Sequence, residues 1–152
     1  MGADTGTAAI VAGGVAGARL IGEDTQVVLV GRKQEIEPVL AATSDCPSNV
    51  TIRHADAVVP MSMPATAGVR VKDSSIAVGA AMVRAGEADA LVSPGNTGAV
   101  MATSLLTMGR IEGVSRPAIT TRFPTTSGRP TVVLDVGANA DCKPHHLAQF
   151  GV

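Results

Sequence analysis

The sequence has no tryptophan or tyrosine, and Phe123 and Phe150 are its only phenylalanines. A core must therefore come from Ala, Val, Leu, Ile and Met, which the 45% hydrophobic content of the 152 residues allows. A length of that order fits one α/β domain, 1–152. Charge of one sign is also lacking, since the net charge is −1. That argues against a general nucleic-acid binder. Cysteine is sparse: Cys46 and Cys142 stand alone, without C-x-x-C spacing. The expectation is a reduced, cytoplasmic protein with no metal site. The longest apolar run, 8–18, falls short of the ~20 residues a spanning helix needs. Met1-Gly2-Ala3-Asp4 lacks the basic start of a secretory leader, so none is expected. There is no Walker loop and no G-x-S-x-G elbow.

Glycine, by contrast, is plentiful, with 17 residues. The chain is organised around 88–109, ADALVSPGNTGAVMATSLLTMG. Ala90-Leu91-Val92 has the length of a buried strand, and Ser93-Pro94-Gly95-Asn96 forms a turn. Thr97 to Met108 is rich in helix formers and closes at Gly109. Asn96 or Thr97 can cap that helix, while Gly95 and Gly98 let an anion approach the backbone. Two readings stand for the loop alone: a tight capped turn, or a cradle for a phosphate or oxyanion at a helix start.

In chain order, 7–21 predicts an Ala/Gly-rich helix. Its Gly13-Gly14-x-x-Gly17 spacing lies inside the helical run, so it reads as close helix packing rather than a dinucleotide fingerprint. Strands are expected near 26–30, 50–54, 88–93 and 131–136, parallel and in one sheet, with a further strand over 117–122. Helices are expected over 33–43 (with Pro38 as a blemish or break), 74–85 (capped by Asp73 or Ser74) and 97–108, with a last turn from Pro144. This alternation is an α/β pattern with a mostly parallel sheet.

Ligands of open α/β sheets bind beyond the carboxyl ends of the strands. Three polar clusters fall at such positions. They are Arg70-x-Lys72-Asp73-Ser74-Ser75, Ser93-Pro94-Gly95-Asn96-Thr97-Gly98, and Asp135-x-Gly137-Ala138-Asn139-x-Asp141. Converged, they would supply amides, hydroxyls, backbone N–H groups, a cation and carboxylates. Each also has a structural reading. Lys72 and Arg70 would be solvated charges, Asp73 and Ser74 a helix cap, and Asn139 a turn residue. Asp135, an acid after three apolar residues, needs a partner. His54 reads as a strand-end surface residue and Cys142 as a small packing residue. His145 and His146, being adjacent on a helix, point different ways.

These segments resemble the bacterial phosphate acyltransferases, the acyl-carrier-protein:phosphate transacylases of phospholipid synthesis. The resemblance rests on Lys72-Asp73-Ser74-Ser75-Ile76, Ser93-x-Gly95-Asn96-Thr97-Gly98-Ala99, Gly109-Arg110-Ile111-x-Gly113-Val114-x-Arg116-Pro117-Ala118 and Asp135-Val136-Gly137-Ala138-Asn139-x-Asp141-Cys142-Lys143-Pro144. It runs along almost the whole chain and covers roughly the N-terminal half of the family's length. Met1-Gly2-Ala3-Asp4 keeps Gly2 and Asp4 of the family's opening motif but not its second glycine, His or Pro. Pro94 replaces the usual Ala and removes one backbone donor.

The resemblance implies a Rossmann-like three-layer fold, here incomplete. It implies a homodimer that works at the cytoplasmic membrane surface without an organic cofactor. The implied reaction transfers a fatty acyl group from acyl carrier protein to inorganic phosphate. Phosphate attacks the thioester directly, so the protein's task is positioning and oxyanion stabilisation. On this reading Lys72, Asn96 and Asn139 are the catalytic candidates. Ser74, Ser93, Gly95, Thr97, Gly98, Asp135, Gly137 and Asp141 would bind phosphate or substrate, or orient groups that do. The other class of function expected is a truncated, inactive phosphate-binding or assembly domain.

Overall fold

The computed structural model describes residues 2–152. Two compact units divide the chain, one ending at Met108 and the other spanning Gly109–Val152.

The first unit contains α1 (Gly6–Ile21), β1 (Val27–Gly31), α2 (Lys33–Ala41), β2 (Val50–His54), α3 (Ala65–Gly68), α4 (Ser75–Arg84) and α5 (Thr97–Met108). β1 and β2 are parallel, with Val27 opposite Val50 and Gly31 opposite His54. Val11, Leu29 and Ile36 pack between the first two helices and this pair. A second cluster joins Val59, Ile76 and Ala99 beneath the starts of α4 and α5. Pro38 lies within α2 without ending it. Gly86 (φ 71°) and Gly109 (φ 88°) follow α4 and α5 in the left-handed conformation that glycine adopts at no steric cost.

Close packing explains only one of the three glycines in the Gly13-Gly14-x-x-Gly17 run of α1. A Cβ on Gly14 would lie 2.6 Å from Leu29 Cδ2, whereas one on Gly13 or Gly17 meets nothing within 4 Å. Gly13→Ala is therefore expected to raise stability by about 0.5–1 kcal/mol through helix propensity. Gly14→Ala should not, because the gain is spent against buried Leu29. Urea midpoints of the two variants check this; equal shifts would show that Leu29 moves aside freely.

The second unit holds β3 (Thr120–Phe123), β4 (Thr131–Leu134) and α6 (Pro144–Phe150). β3 and β4 are antiparallel, with Thr120 opposite Leu134 and Phe123 opposite Thr131. Ser115 ties to α6 through Gln149 Oε1, which accepts from its N–H at 3.0 Å and its hydroxyl at 2.6 Å.

The expected single, mostly parallel sheet is thus corrected. Among the described residues there are two two-stranded sheets, one parallel and one antiparallel. Only 124–130 separates β3 from β4, too short for the crossover of about a dozen residues that a parallel pair requires. The 88–93 stretch is irregular rather than a strand. It offers only three apolar residues before Ser93-Pro94. Leu91 packs over Gly79, where a Cβ would meet its Cδ1 at 2.7 Å, while Val92 is 91% exposed. It is hydrogen-bonded into neither described sheet. What is established is a mixed α/β architecture.

Candidate functional site

α4 and α5 lie side by side and run the same way. At their starts Ile76 and Ala99 share one cluster with Val59. At their ends Arg84 Nη1 donates to the Thr107 carbonyl at 2.8 Å. Their positive dipole ends therefore stand at the same edge of the unit. Ser74 caps α4, its Oγ accepting from Ala77 N–H at 3.2 Å. The sequence left the cap open between Asp73 and Ser74; Ser74 takes it, and is buried. The stretch after β2 runs along this edge, with Ala57 bridging Ser74.

Asn96 caps α5: its Oδ1 accepts from Ala99 N–H at 2.9 Å. Its Nδ2 faces the carbonyls of Pro60 (3.1 Å), Met61 (3.1 Å) and Met63 (2.7 Å). An amide has two hydrogens, so three acceptors saturate it. Asn96 is 7% exposed. Its side chain thus joins the helix start to the 60–63 loop, a partnership that no spacing in the sequence signals beyond the prolines at 60 and 64.

The rest of this loop is divided between inward and outward groups. Ser93 Oγ accepts from Gly95 N–H at 3.3 Å. Gly98 lies against α3, where a Cβ would come within 3.0 Å of Ala65 Cβ. Its lack of a side chain is explained by that approach. The N–H groups of Thr97 and Gly98 have no acceptor among the described residues, and Thr97 is exposed. Lys72, also exposed, makes no ion pair or hydrogen bond among them. The seven unit-one candidates therefore fall at one end: Ser74, Ser93, Gly95, Asn96 and Gly98 build it, while Lys72 and Thr97 remain open to solvent.

In the second unit Asp135 organises the turn after β4. Its Oδ1 accepts from the N–H groups of Ile119 (2.9 Å) and Ala138 (3.0 Å). Its Oδ2 accepts from Asn139 N–H (2.7 Å) and Asn139 Nδ2 (2.8 Å). Asn139 Nδ2 also donates to the Pro117 carbonyl at 2.9 Å. Burial pushes the Asp135 carboxyl up, but these four donors outweigh it and lower the pKa from 3.8 to about 2. The partner that its sequence position demanded is therefore this ring of donors. The Leu134–Asp135 peptide is cis, and Gly137 takes φ 124° in the same turn. Asp141 is exposed, and its carbonyl accepts from Arg116 Nη1 at 3.2 Å.

His146 is 5% exposed, and its Nδ1 accepts from Lys143 N–H at 3.1 Å. Burial, then the charges of His145, Arg116 and Lys143, lowers its pKa. No group of three or more His, Cys, Asp or Glu among the described residues is placed to hold a metal ion. No helix among them is long and apolar enough to cross a membrane.

A mixed α/β chain that gathers two helix starts around a polar loop is the setting in which the family assignment falls. The sequence matches the fatty acid synthesis protein family over residues 1–152, and the chain belongs to that family. It is 51% identical to the phosphate acyltransferase of Myxococcus xanthus, covering 100% of this chain and 43% of that protein. It is 48% identical to the phosphate acyltransferase of Desulfitobacterium hafniense, over 100% of this chain and 44% of the relative. For the phosphate acyltransferase of Bacillus subtilis the identity is 42%, over 100% and 45%. The chain spans less than half the length of these curated relatives.

Proposed function

We propose that the chain serves phosphate acyltransfer: inorganic phosphate attacks an acyl thioester on acyl carrier protein and yields acyl phosphate. The observation that carries this reading is the match along the whole chain to proteins named phosphate acyltransferase. In the reaction a phosphate oxygen bonds to the carbonyl carbon, the C–S bond breaks, and the thiolate leaves to take a proton. Phosphate is already an anionic nucleophile, so catalysis consists of positioning and of donors aimed at the developing oxyanion.

The start of α5 suits the phosphate. Thr97 and Gly98 present unpaired N–H groups there, α4 adds a second positive end, and Lys72 supplies a mobile cation. Asn96 and Ser74 act in this reading by fixing the two helix starts. Ser93 and Gly95 shape the turn. Asp135 and Asn139 are a positioning pair, since their donors and acceptors engage one another; Gly137 and Asp141 complete that turn. The one-domain, Rossmann-like three-layer architecture, the homodimer and the cytoplasmic location with peripheral membrane contact belong to the same proposal.

Titration with inorganic phosphate, followed by backbone amide shifts, tests the site. Thr97 and Gly98 are expected to move. Lys72→Ala should weaken binding about two- to fivefold at low salt, with the difference fading near physiological salt as an exposed charge is screened. A response confined to another segment would remove the site from α5. Acyl phosphate formation from acyl carrier protein and phosphate tests the reaction separately.

A further inference from the structure

The carboxyl ends of β1 and β2 carry a polar network that the proposed reaction does not use. His54, the last residue of β2, stands at its centre. Its Nδ1 accepts from Lys33 N–H, the first amide of α2, at 3.2 Å. Its Nε2 lies 2.8 Å from Asp56 Oδ1. Arg32 sits at the N-cap position of α2 without a side-chain cap bond. The imidazole therefore satisfies, from the neighbouring strand, one of the amides that the start of a helix leaves open.

We propose that His54 is a pH-operated latch between the first turn of α2 and the segment that follows β2. The geometry demands one protonation state. Nδ1 must carry a lone pair to accept from Lys33, and Nε2 must carry the hydrogen that Asp56 accepts. Proton uptake at Nδ1 puts a donor against a donor, and the cap bond is lost. The latch therefore opens when the ring takes up a proton.

The charged groups around the ring are mostly engaged elsewhere. Arg32 Nε donates to the Asp56 carbonyl at 2.8 Å, and its Nη1 to Glu35 Oε1 at 3.0 Å. Glu35 Oε2 also accepts from the Thr7 hydroxyl of α1 at 3.0 Å, and the Arg32 and Thr7 bonds hold the Glu35 carboxyl below its usual range. Lys33 pairs with Glu37 at 3.3 Å, and Arg53 with Glu87. Asp56 is the carboxylate left facing the ring. It keeps hold of the imidazolium when the cap is lost, so the ring stays beside Asp56 while the Lys33 amide is freed, and the Arg32 bond to the Asp56 carbonyl is untouched.

The test follows the Lys33 amide and the His54 ring together by NMR from pH 8 to pH 5. The Lys33 protection factor is expected to fall about fivefold, the size of one lost hydrogen bond, with the same midpoint as the ring. In His54→Gln that pH-dependent step should vanish. In Asp56→Asn it should remain, because the Lys33 amide bonds Nδ1 and not the Asp56 side of the ring. A ring that titrates while Lys33 stays protected overturns the proposal, and so does a Lys33 step that survives in His54→Gln.

Discussion

Asp135→Asn is expected to destabilise the second unit by about 3 kcal/mol at neutral pH. Four N–H donors converge on the carboxylate, two on each oxygen. An amide offers only one acceptor oxygen. Whichever way it turns, its NH2 faces two donors that have lost their acceptor, and hydrogen bonds to a charged group contribute about 1.5–3 kcal/mol each. The pH dependence carries a definite sign. The folded pKa, about 2, lies below the usual 3.8. A depressed carboxyl stabilises the fold fully above its unfolded pKa, and that stabilisation is lost as pH falls through the folded value. The stability gap between wild type and Asp135→Asn should therefore be constant above about pH 5 and shrink from about pH 4 to pH 2. Urea unfolding at several pH values measures it. Glu35, also depressed, is common to both proteins and cancels in the difference. A gap below about 1 kcal/mol, or one indifferent to pH, would show that the donors relax onto other acceptors.

What the sequence disclosed about this chain divides along a physical line. Helices with a marked start and stop were legible. Ser74, Asn96, Gly86 and Gly109 each act locally, within a turn of the residue they serve. β1 and β2 were legible because an apolar run of strand length needs only a neighbour of the same kind. Ala90-Leu91-Val92 looked the same in composition and is not a strand, because pairing is a property of two segments and that one has no described partner. β3 and β4 showed their strand character but not their direction, which the short 124–130 connection settles. The site divides in the same way. The helix start and its unpaired amides follow from local rules. That the Asn96 amide is consumed by carbonyls at 60, 61 and 63 depends on a contact over more than thirty positions of chain, and the loop motif contains no trace of it. His54 is the strand-end surface residue it was read as, and it also accepts from the first amide of α2, whose own N-cap residue makes no side-chain cap bond.

Asn96→Asp separates the two roles of this side chain, and the expected result is a loss of about 3 kcal/mol. If Asn96 were only a cap, aspartate would serve as well or better. Asn and Asp are equivalent at N-cap positions, and a negative charge at a helix start gains about 0.3–1 kcal/mol from the dipole. The Oδ1 contact to Ala99 N–H survives the change. The other end of the side chain reverses the balance. Replacing Nδ2 with a second carboxylate oxygen sets an anion against the carbonyls of Pro60, Met61 and Met63, each within 3.1 Å, and removes their donor in a buried place. Asn96→Ala loses the cap and the donors but adds no charge, so it should cost less than Asn96→Asp, about 2 kcal/mol. The order of the two variants is the decisive reading, and urea midpoints give it. Hydrogen exchange adds the location: in Asn96→Asp the 60–63 loop and the first turn of α5 should open together. Phosphate affinity should fall as well, since the added charge lies at the helix start where the anion is held. Aspartate equal to wild type in stability would reduce Asn96 to a cap and dissociate the loop from the site.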